Sequence, residues 1–271
     1  MSNMEKLPLV THCRRLLVVS LFFMAAAAEG FWRTDGKPPF SLEPGTELTY
    51  RKTVTVVPVT GQSTNMMKAV GLETVEVLTA PPRFAKGSLA ARFRTLFNQR
   101  WESQGRFWDL SGGGDKVWEW KDGNLYLHGA RTWTEETDAA PVHYYDPPLL
   151  YLKSLAKVGD TWPVGETAGM GLIFVTEARV EKIGSVTVPA GRFSGCLNVL
   201  YVSRDVRGVL HTDSGMAQII EGTFSNSVWY AGGVGVVKDD EWIALKYKTG
   251  DAVASGRQER NLELESRRKA R

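Results

Sequence analysis

Apolar and polar positions alternate with a period of two through most of this chain, and that alternation predicts strands. Across 46–57, Leu48, Tyr50, Val54 and Val56 alternate with threonine and arginine, the pattern of a half-buried strand. Lys52 interrupts the apolar face, as expected near a sheet edge or of a side chain that snorkels. Ile243, Leu245 and Tyr247 repeat the alternation near the far end. Further strands are expected over 70–78, 89–98, 117–120, 124–128, 172–182, 186–188, 196–204, 219–230, 234–237, 241–248 and 259–264. Turn-formers separate them: Pro81-Pro82, Gly87, the Gly112–Gly114 run and Asp122-Gly123, the last suited to a tight primed hairpin. One short helix is expected from Leu149 to Ala156.

The fold class that follows is all-β: a large curved antiparallel sheet or half-barrel, built as one sheet or as two related β units, with the one short helix. The chain divides into a signal segment (1–28), an extended lead-in (29–44), a first β unit (45–134), a linker and short helix (135–157), a second β unit (158–250), and a C-terminal strand with a basic tail (251–271). Pro44-Gly45-Thr46-Glu47-Leu48 parallels Val158-Gly159-Asp160-Thr161-Trp162 as a glycine turn opening a strand. Pro81-Pro82-Arg83-Phe84 parallels Pro189-Ala190-Gly191-Arg192-Phe193, and Trp108–Trp120 parallels Trp229–Val237. These parallels fit either an internal repeat or the ordinary recurrence of strand and turn chemistry in antiparallel proteins.

Two segments carry a resemblance. Val188-Pro189-Ala190-Gly191-Arg192-Phe193 and Trp229-Tyr230-Ala231-Gly232-Gly233-Val234-Gly235-Val236-Val237-Lys238 resemble the VPAGxF and WYxxGVGxVK signature of a broad set of exported bacterial β-sheet proteins of unknown function. The resemblance is clearest over 149–248 and thin over 45–134. It implies that the Pro-Ala-Gly turn joins paired strands and that the Trp-Tyr segment begins a late strand. Gly232 stands where such proteins often have proline, and the family supplies no catalytic residues to carry over.

Residues 1–28 read as a cleavable signal peptide: Lys6, Arg14 and Arg15, then an apolar run from Leu16 to Ala28 broken by Ser20, with a small-residue exit before Glu29. At 13 residues that run is shorter than the roughly 20 a membrane helix needs, so the mature form is expected to lack a stable membrane span and to reside in the periplasm or medium. The chain has 33 Lys and Arg against 30 Asp and Glu, and residues 1–28 carry three positive charges and one negative, leaving the remainder near +1. That balance gives no case for nucleic-acid binding. The basic tail of Arg267, Arg268, Lys269 and Arg271 reads as a solvated end. Of the two cysteines only Cys196 lies beyond the signal, so no internal disulfide can form, and its apolar neighbours mark it as a small buried hydrophobe.

Reactive chemistry is sparse. His128, His143 and His211 lack metal-ligand spacing, so no metal or cofactor is expected. His143 with Asp146 is the best acid–base pair available, and the loop read around Ser111, with Asp109, Asp115 and the glycines, is a second candidate, for hydrolysis or for holding an anion or calcium. Asp239-Asp240-Glu241 reads as a solvated turn. The anomaly is aromatic: Trp101, Trp108, Trp118, Trp120 and Trp133 fall within 33 residues, closely followed by Tyr144, Tyr145 and Tyr151. Trp108, Trp118, Trp120, Tyr144 and Tyr145 are therefore the candidate ligand-binding residues. The leading expectation is a non-catalytic envelope protein holding a hydrophobic or amphipathic molecule on a curved sheet. The alternatives are an exported hydrolase using His143, Asp146 or Ser111, and a structural module that pairs with another envelope protein.

Overall fold

A computed structural model describes residues 37–60, 66–84, 89–133, 141–153, 155–169, 171–212 and 215–269. The signal segment lies outside the described residues. Twelve strands form a single antiparallel sheet: β1 (Glu47–Thr60), β2 (Met67–Thr79), β3 (Leu89–Ser103), β4 (Arg106–Lys121), β5 (Asn124–Trp133), β6 (His143–Leu152), β7 (Thr161–Gly169), β8 (Leu172–Val188), β9 (Gly191–Thr212), β10 (Gly215–Ala231), β11 (Gly235–Thr249) and β12 (Ala252–Arg268). Their order in space is β6-β5-β4-β3-β2-β1-β12-β11-β10-β9-β8-β7. Two six-strand meanders are thus joined through the first and last strands, which pair from Glu47 opposite Arg268 to Thr60 opposite Ser255. Arg267 and Arg268 accordingly belong to β12 instead of a frayed tail.

The sheet curls until its two edges meet. Trp162 on β7 donates its indole N–H to the Leu150 carbonyl on β6 at 3.2 Å, and the Tyr151 and Tyr201 rings stack at 4.7 Å, setting β6 against β9. The result is nearly closed and barrel-like. Each meander has six strands, and their openers share a geometry. Gly45 (φ 84°) donates to Val77, which donates back to Thr46; Gly159 (φ 91°) donates to Val180, which donates back to Asp160. Positive φ at each opener is what glycine supplies without strain.

Three sequence expectations are overturned. No helix occurs among the described residues, and Leu149–Leu152 lies in β6, where Leu127 faces Leu149 and Leu125 faces Leu152. Leucine runs suit either element, and here partnership with the apolar face of β5 decides. Gly112–Gly114 is no turn but the middle of β4, where a Cβ at Gly113 would lie 2.5 Å from the Thr95 carbonyl oxygen and 2.7 Å from the Trp133 ring. Missing side chains there let neighbouring strands and rings press onto the backbone. Gly113→Ala is expected to destabilise by about 1–3 kcal/mol through overpacking, read as a lowered urea midpoint. An unchanged midpoint would mean that the ring moves aside freely. Lys52, finally, sits on the central strand β1 and not at an edge.

The main core fills one end of the interior with Val77, Phe93, Trp118, Trp120, Leu125, Leu152, Trp162, Val180, Leu197, Val199, Tyr201 and Tyr230. Phe40, in what reads as lead-in, is buried there, its ring against those of Phe93, Trp118 and Tyr230. The two signature segments serve this architecture. Pro189-Ala190 turns β8 into β9, whereas Trp229-Tyr230 closes β10 instead of opening a strand, one turn before β11. Cys196 is buried among Val188, Ala231 and Leu264, and burial pushes its thiol pKa up.

Candidate functional site

Directly paired residues in an antiparallel sheet show their side chains on one face. Pairing therefore assembles an inner-face row of Trp108, Trp101, Ala69, Val54, Arg260, Glu241, Asn226 and Tyr201 across eight neighbouring strands. The adjacent row brings Leu110, Gln99, Gly71, Lys52, Leu262 and Asp239. Next to it stand Glu73 and Tyr50. A layer of charge thus crosses the interior beside the apolar core.

Asp239-Asp240-Glu241 is the clearest revision here. The segment is not a solvated turn but the middle of β11, and strand alternation turns Asp239 and Glu241 inward and Asp240 outward. Arg260 donates to Asp239 Oδ1 at 3.1 Å and to Glu241 Oε2 at 2.8 Å. Burial opposes the charge on Arg260, but the two carboxylates outweigh it and hold its pKa above the usual range. Burial pushes Glu241 up, against the pull of Arg260. Lys52 donates to Glu73 Oε2 at 2.9 Å, its ammonium 4.4 Å from the centre of the Phe97 ring.

Lys116 completes the set. It faces inward on β4 opposite Phe93. Its side chain is exposed to solvent. Desolvation by the protein around it lowers its pKa and Arg260 adds to the depression, with Asp239, Glu73 and Glu241 pulling the other way. No hydrogen bond or ion pair holds it among the described residues.

Four buried polar atoms in this layer lack hydrogen-bond partners. Gln99 is 3% exposed and its Nε2 has no partner; Trp101 Nε1, Arg260 Nε and Asn226 Oδ1 are likewise buried and unpaired. Trp101 stacks on Trp108, ring centroids 6.2 Å apart and planes 10° from parallel, and Trp108 is 41% exposed. Toward the apolar core stand the phenols of Tyr50, Tyr201 and Tyr230, all pushed up by burial. Tyr50 donates to the Val236 carbonyl, and the Tyr201 hydroxyl lies 2.9 Å from that of Tyr230.

The sequence candidates separate. Trp118 and Trp120 lie in the closed core, 5% and 6% exposed, packed by protein side chains. Tyr144 carries the Arg83 guanidinium over its ring at 3.9 Å, and Tyr145 is half-buried against His143. Trp108 alone of the five borders the charged layer. His143 and Asp146 are exposed on β6. Ser111 is exposed on the outer face of β4 opposite Asn98, so the loop read around it does not exist. Asp115, fully buried on that outer face, is taken by Arg94 at 3.3 Å and by Arg131 at 2.8 and 2.6 Å, leaving it no role as an open cation ligand. His128 lies 2.9 Å from Glu119 and edge-on to Phe84. Among the described residues no group of three or more His, Cys, Asp or Glu could hold a metal ion, and no helix is long and apolar enough to cross a membrane. A concavity of about 570 Å³ between β9 and β10, lined by Arg207, Val209, Met216 and Ile219, is open and shares no residue with the charged layer.

Sequence reasoning missed Gln99, Lys116 and Arg260. The signal that could have found them is a polar or charged residue at a position where alternation demands an apolar one, as Lys52 already showed.

No family model matches the chain, and no curated protein does. Among solved structures it is similar to a candidate lipoprotein of Parabacteroides distasonis, at 14% identity and a TM-score of 0.34, covering 85% of this chain and 98% of that one. It is also similar to a candidate exported protein of Bacteroides fragilis with a YmcC-like fold, at 16% identity and a TM-score of 0.30, covering 84% and 98%. Likenesses at these scores carry no inference about fold or function.

Proposed function

We propose that this chain is an exported binding protein that holds an amphipathic small molecule against the inner face of its sheet. The observation that carries the reading is the charged layer, whose unmet donors Trp101 Nε1 and Arg260 Nε stand in the same row as the Trp101–Trp108 stack, with the Gln99 amide in the row beside it. A buried donor without an acceptor costs about 1–3 kcal/mol, so several together are a feature that a ligand offsets. Polar donors beside an aromatic wall favour a molecule with both polar and apolar parts over a purely apolar one. Export rests on the signal-like residues 1–28.

The competing readings draw less support. Edges β6 and β7 approach one another through the Trp162 to Leu150 hydrogen bond, which leaves little room for a strand of an envelope protein between them. His143, Asp146 and Ser111 have no hydrogen bond among them in the described residues. The test is native mass spectrometry on protein expressed with its signal and purified gently, together with tryptophan emission during titration with dodecanoate and dodecan-1-ol. Binding predicts an extra mass released by organic solvent, or a saturable emission change that Trp101→Ala and Trp108→Ala weaken. A bare polypeptide mass with no response to either amphiphile would end this reading.

A further inference from the structure

Every neighbouring pair of strands around the barrel is laddered except β6 and β7, between which no directly paired residues occur among the described residues. The sequence carries the reason. β6 has Pro147-Pro148 in its middle and β7 has Pro163, and proline offers no N–H to a ladder. β6 also leaves its other neighbour there: its pairing with β5 skips from Tyr144 opposite Gly129 to Leu149 opposite Leu127, so Tyr145, Asp146, Pro147 and Pro148 pair with neither side. Side chains close this seam instead. Trp162 donates to the Leu150 carbonyl at 3.2 Å, and Tyr201 donates to the Tyr151 carbonyl at 2.9 Å. Leu149 lies against Gly165, where a Cβ would stand 2.9 Å from Leu149 Cδ2.

The two halves of the seam differ. Leu149, Leu152, Trp162 and Val164 are buried in the main core, whereas Asp146, Pro147, Glu166 and Ala168 are exposed. Across the exposed half the Tyr145 hydroxyl hydrogen-bonds the Ala168 backbone. A single hydrogen bond holds far less than a ladder does. We propose that the exposed half of the β6–β7 seam is a lateral gate, which parts beside Tyr145–Pro148, swings on the buried half at Leu149–Leu152, and closes by docking Tyr145 on Ala168. The opposite joint, where β1 and β12 pair from Glu47–Arg268 to Thr60–Ser255, stays shut. Parting at the seam bares the inner face from the side and breaks no backbone ladder. The prolines that keep the seam from zipping also keep an opened seam from capturing a foreign strand. The gate exists whether or not an amphiphile occupies the inner face.

Paired nitroxide labels on the full chain test this, with distances read by double electron–electron resonance; Cys196 is buried and takes no label. Asp146→Cys with Glu166→Cys spans the exposed half of the seam, and Lys153→Cys with Thr161→Cys spans its buried end. Thr55→Cys with Glu259→Cys, directly paired positions, spans the β1–β12 joint. The first pair is expected to show a short distance and a second, longer one. Adding Tyr145→Phe, which removes one hydroxyl from a half-buried ring, should raise the longer population over the shorter by roughly two- to tenfold, the worth of one net hydrogen bond. The other two pairs should each keep a single distance with and without Tyr145→Phe. One distance at the first pair in both backgrounds overturns the gate, and two distances in a ratio that Tyr145→Phe leaves unchanged overturn its closing contact. A second distance at positions 153 and 161 overturns the hinge, since the whole seam then parts. A second distance at positions 55 and 259 overturns the proposal too, because the sheet then loosens generally and not at this seam.

Discussion

Replacing Arg260 with leucine is expected to destabilise the fold by about 3–5 kcal/mol at neutral pH, the cost of leaving buried charge without its partner. Arg260 is shared by two carboxylates two residues apart on β11, and the side chains of Arg260, Asp239 and Glu241 are only 21%, 14% and 20% exposed. Without the guanidinium, Asp239 and Glu241 repel each other where water cannot fully screen them. Glu241 is already held above its ordinary pKa by burial, against the pull of Arg260, so losing Arg260 lifts it further. The sign follows. A carboxyl raised in the folded state penalises folding above its folded pKa, and the penalty fades as pH falls through that value. The deficit of Arg260→Leu should therefore be larger at pH 7 than at pH 5 in paired urea titrations. Adding Asp239→Asn and Glu241→Gln should restore most of the loss, since removing all three charges leaves nothing uncompensated. A deficit below about 1 kcal/mol at pH 7, or one insensitive to the two further substitutions, would show that the carboxylates do not depend on this cation.

The all-β, curved antiparallel architecture was legible because a period of two is written directly into the chain, as in Leu48, Tyr50 and Val54. Its lengths were not. Alternation fades where a strand crosses the charged layer, so the inward Asp239 and Glu241 break the apolar face of β11 and make one strand look like two with an acidic turn between. An irregularity at Gly184 split β8, and β4 was shortened by a glycine run that has the composition of a loop and the role of a packing surface. Strand β6 was hidden by Pro147-Pro148 and read as linker and helix; the register with β5 that holds it is a long-range fact that no local window contains.

The candidate site was legible in kind but not in place. Aromatic clustering pointed to β4, and Trp108 does border the charged layer, yet Trp118 and Trp120 on the same strand and the same face pack into the closed core. What separates them is position along the strand relative to the row that Arg260 and Glu241 occupy, and a single sequence does not reveal which rows coincide. Lys52 offered the one local hint, and its explanation as an edge residue failed because the last strand, β12, pairs with β1 and makes it central.

Phe40→Ala is expected to cost about 3–5 kcal/mol, although Phe40 belongs to no strand. Its ring is 6% exposed and lies edge-on to Phe93 at 5.7 Å and to Tyr230 at 5.9 Å, with Trp118 at 6.1 Å. Phe93 and Trp118 come from the first meander and Tyr230 from the second, so one side chain ties the two inner faces together where no ladder does. The backbone is shaped to admit it: Phe40 bridges Val234, and a Cβ at Gly235 would lie 2.6 Å from Phe40 Cδ1. Alanine would leave a cavity ringed by rigid aromatic groups, which collapse poorly around a void, and that places the loss in the upper part of the large-to-small range. At roughly 2–4 °C per kcal/mol for a chain of this size, the melting temperature should fall by about 6–20 °C. Phe40→Leu, which refills much of the volume, should lose less than half as much. A fall of under about 3 °C for alanine would mean that the lead-in merely lies on a core complete without it; a large fall that leucine largely repairs would make residue 40, outside every strand, the plug of the apolar end.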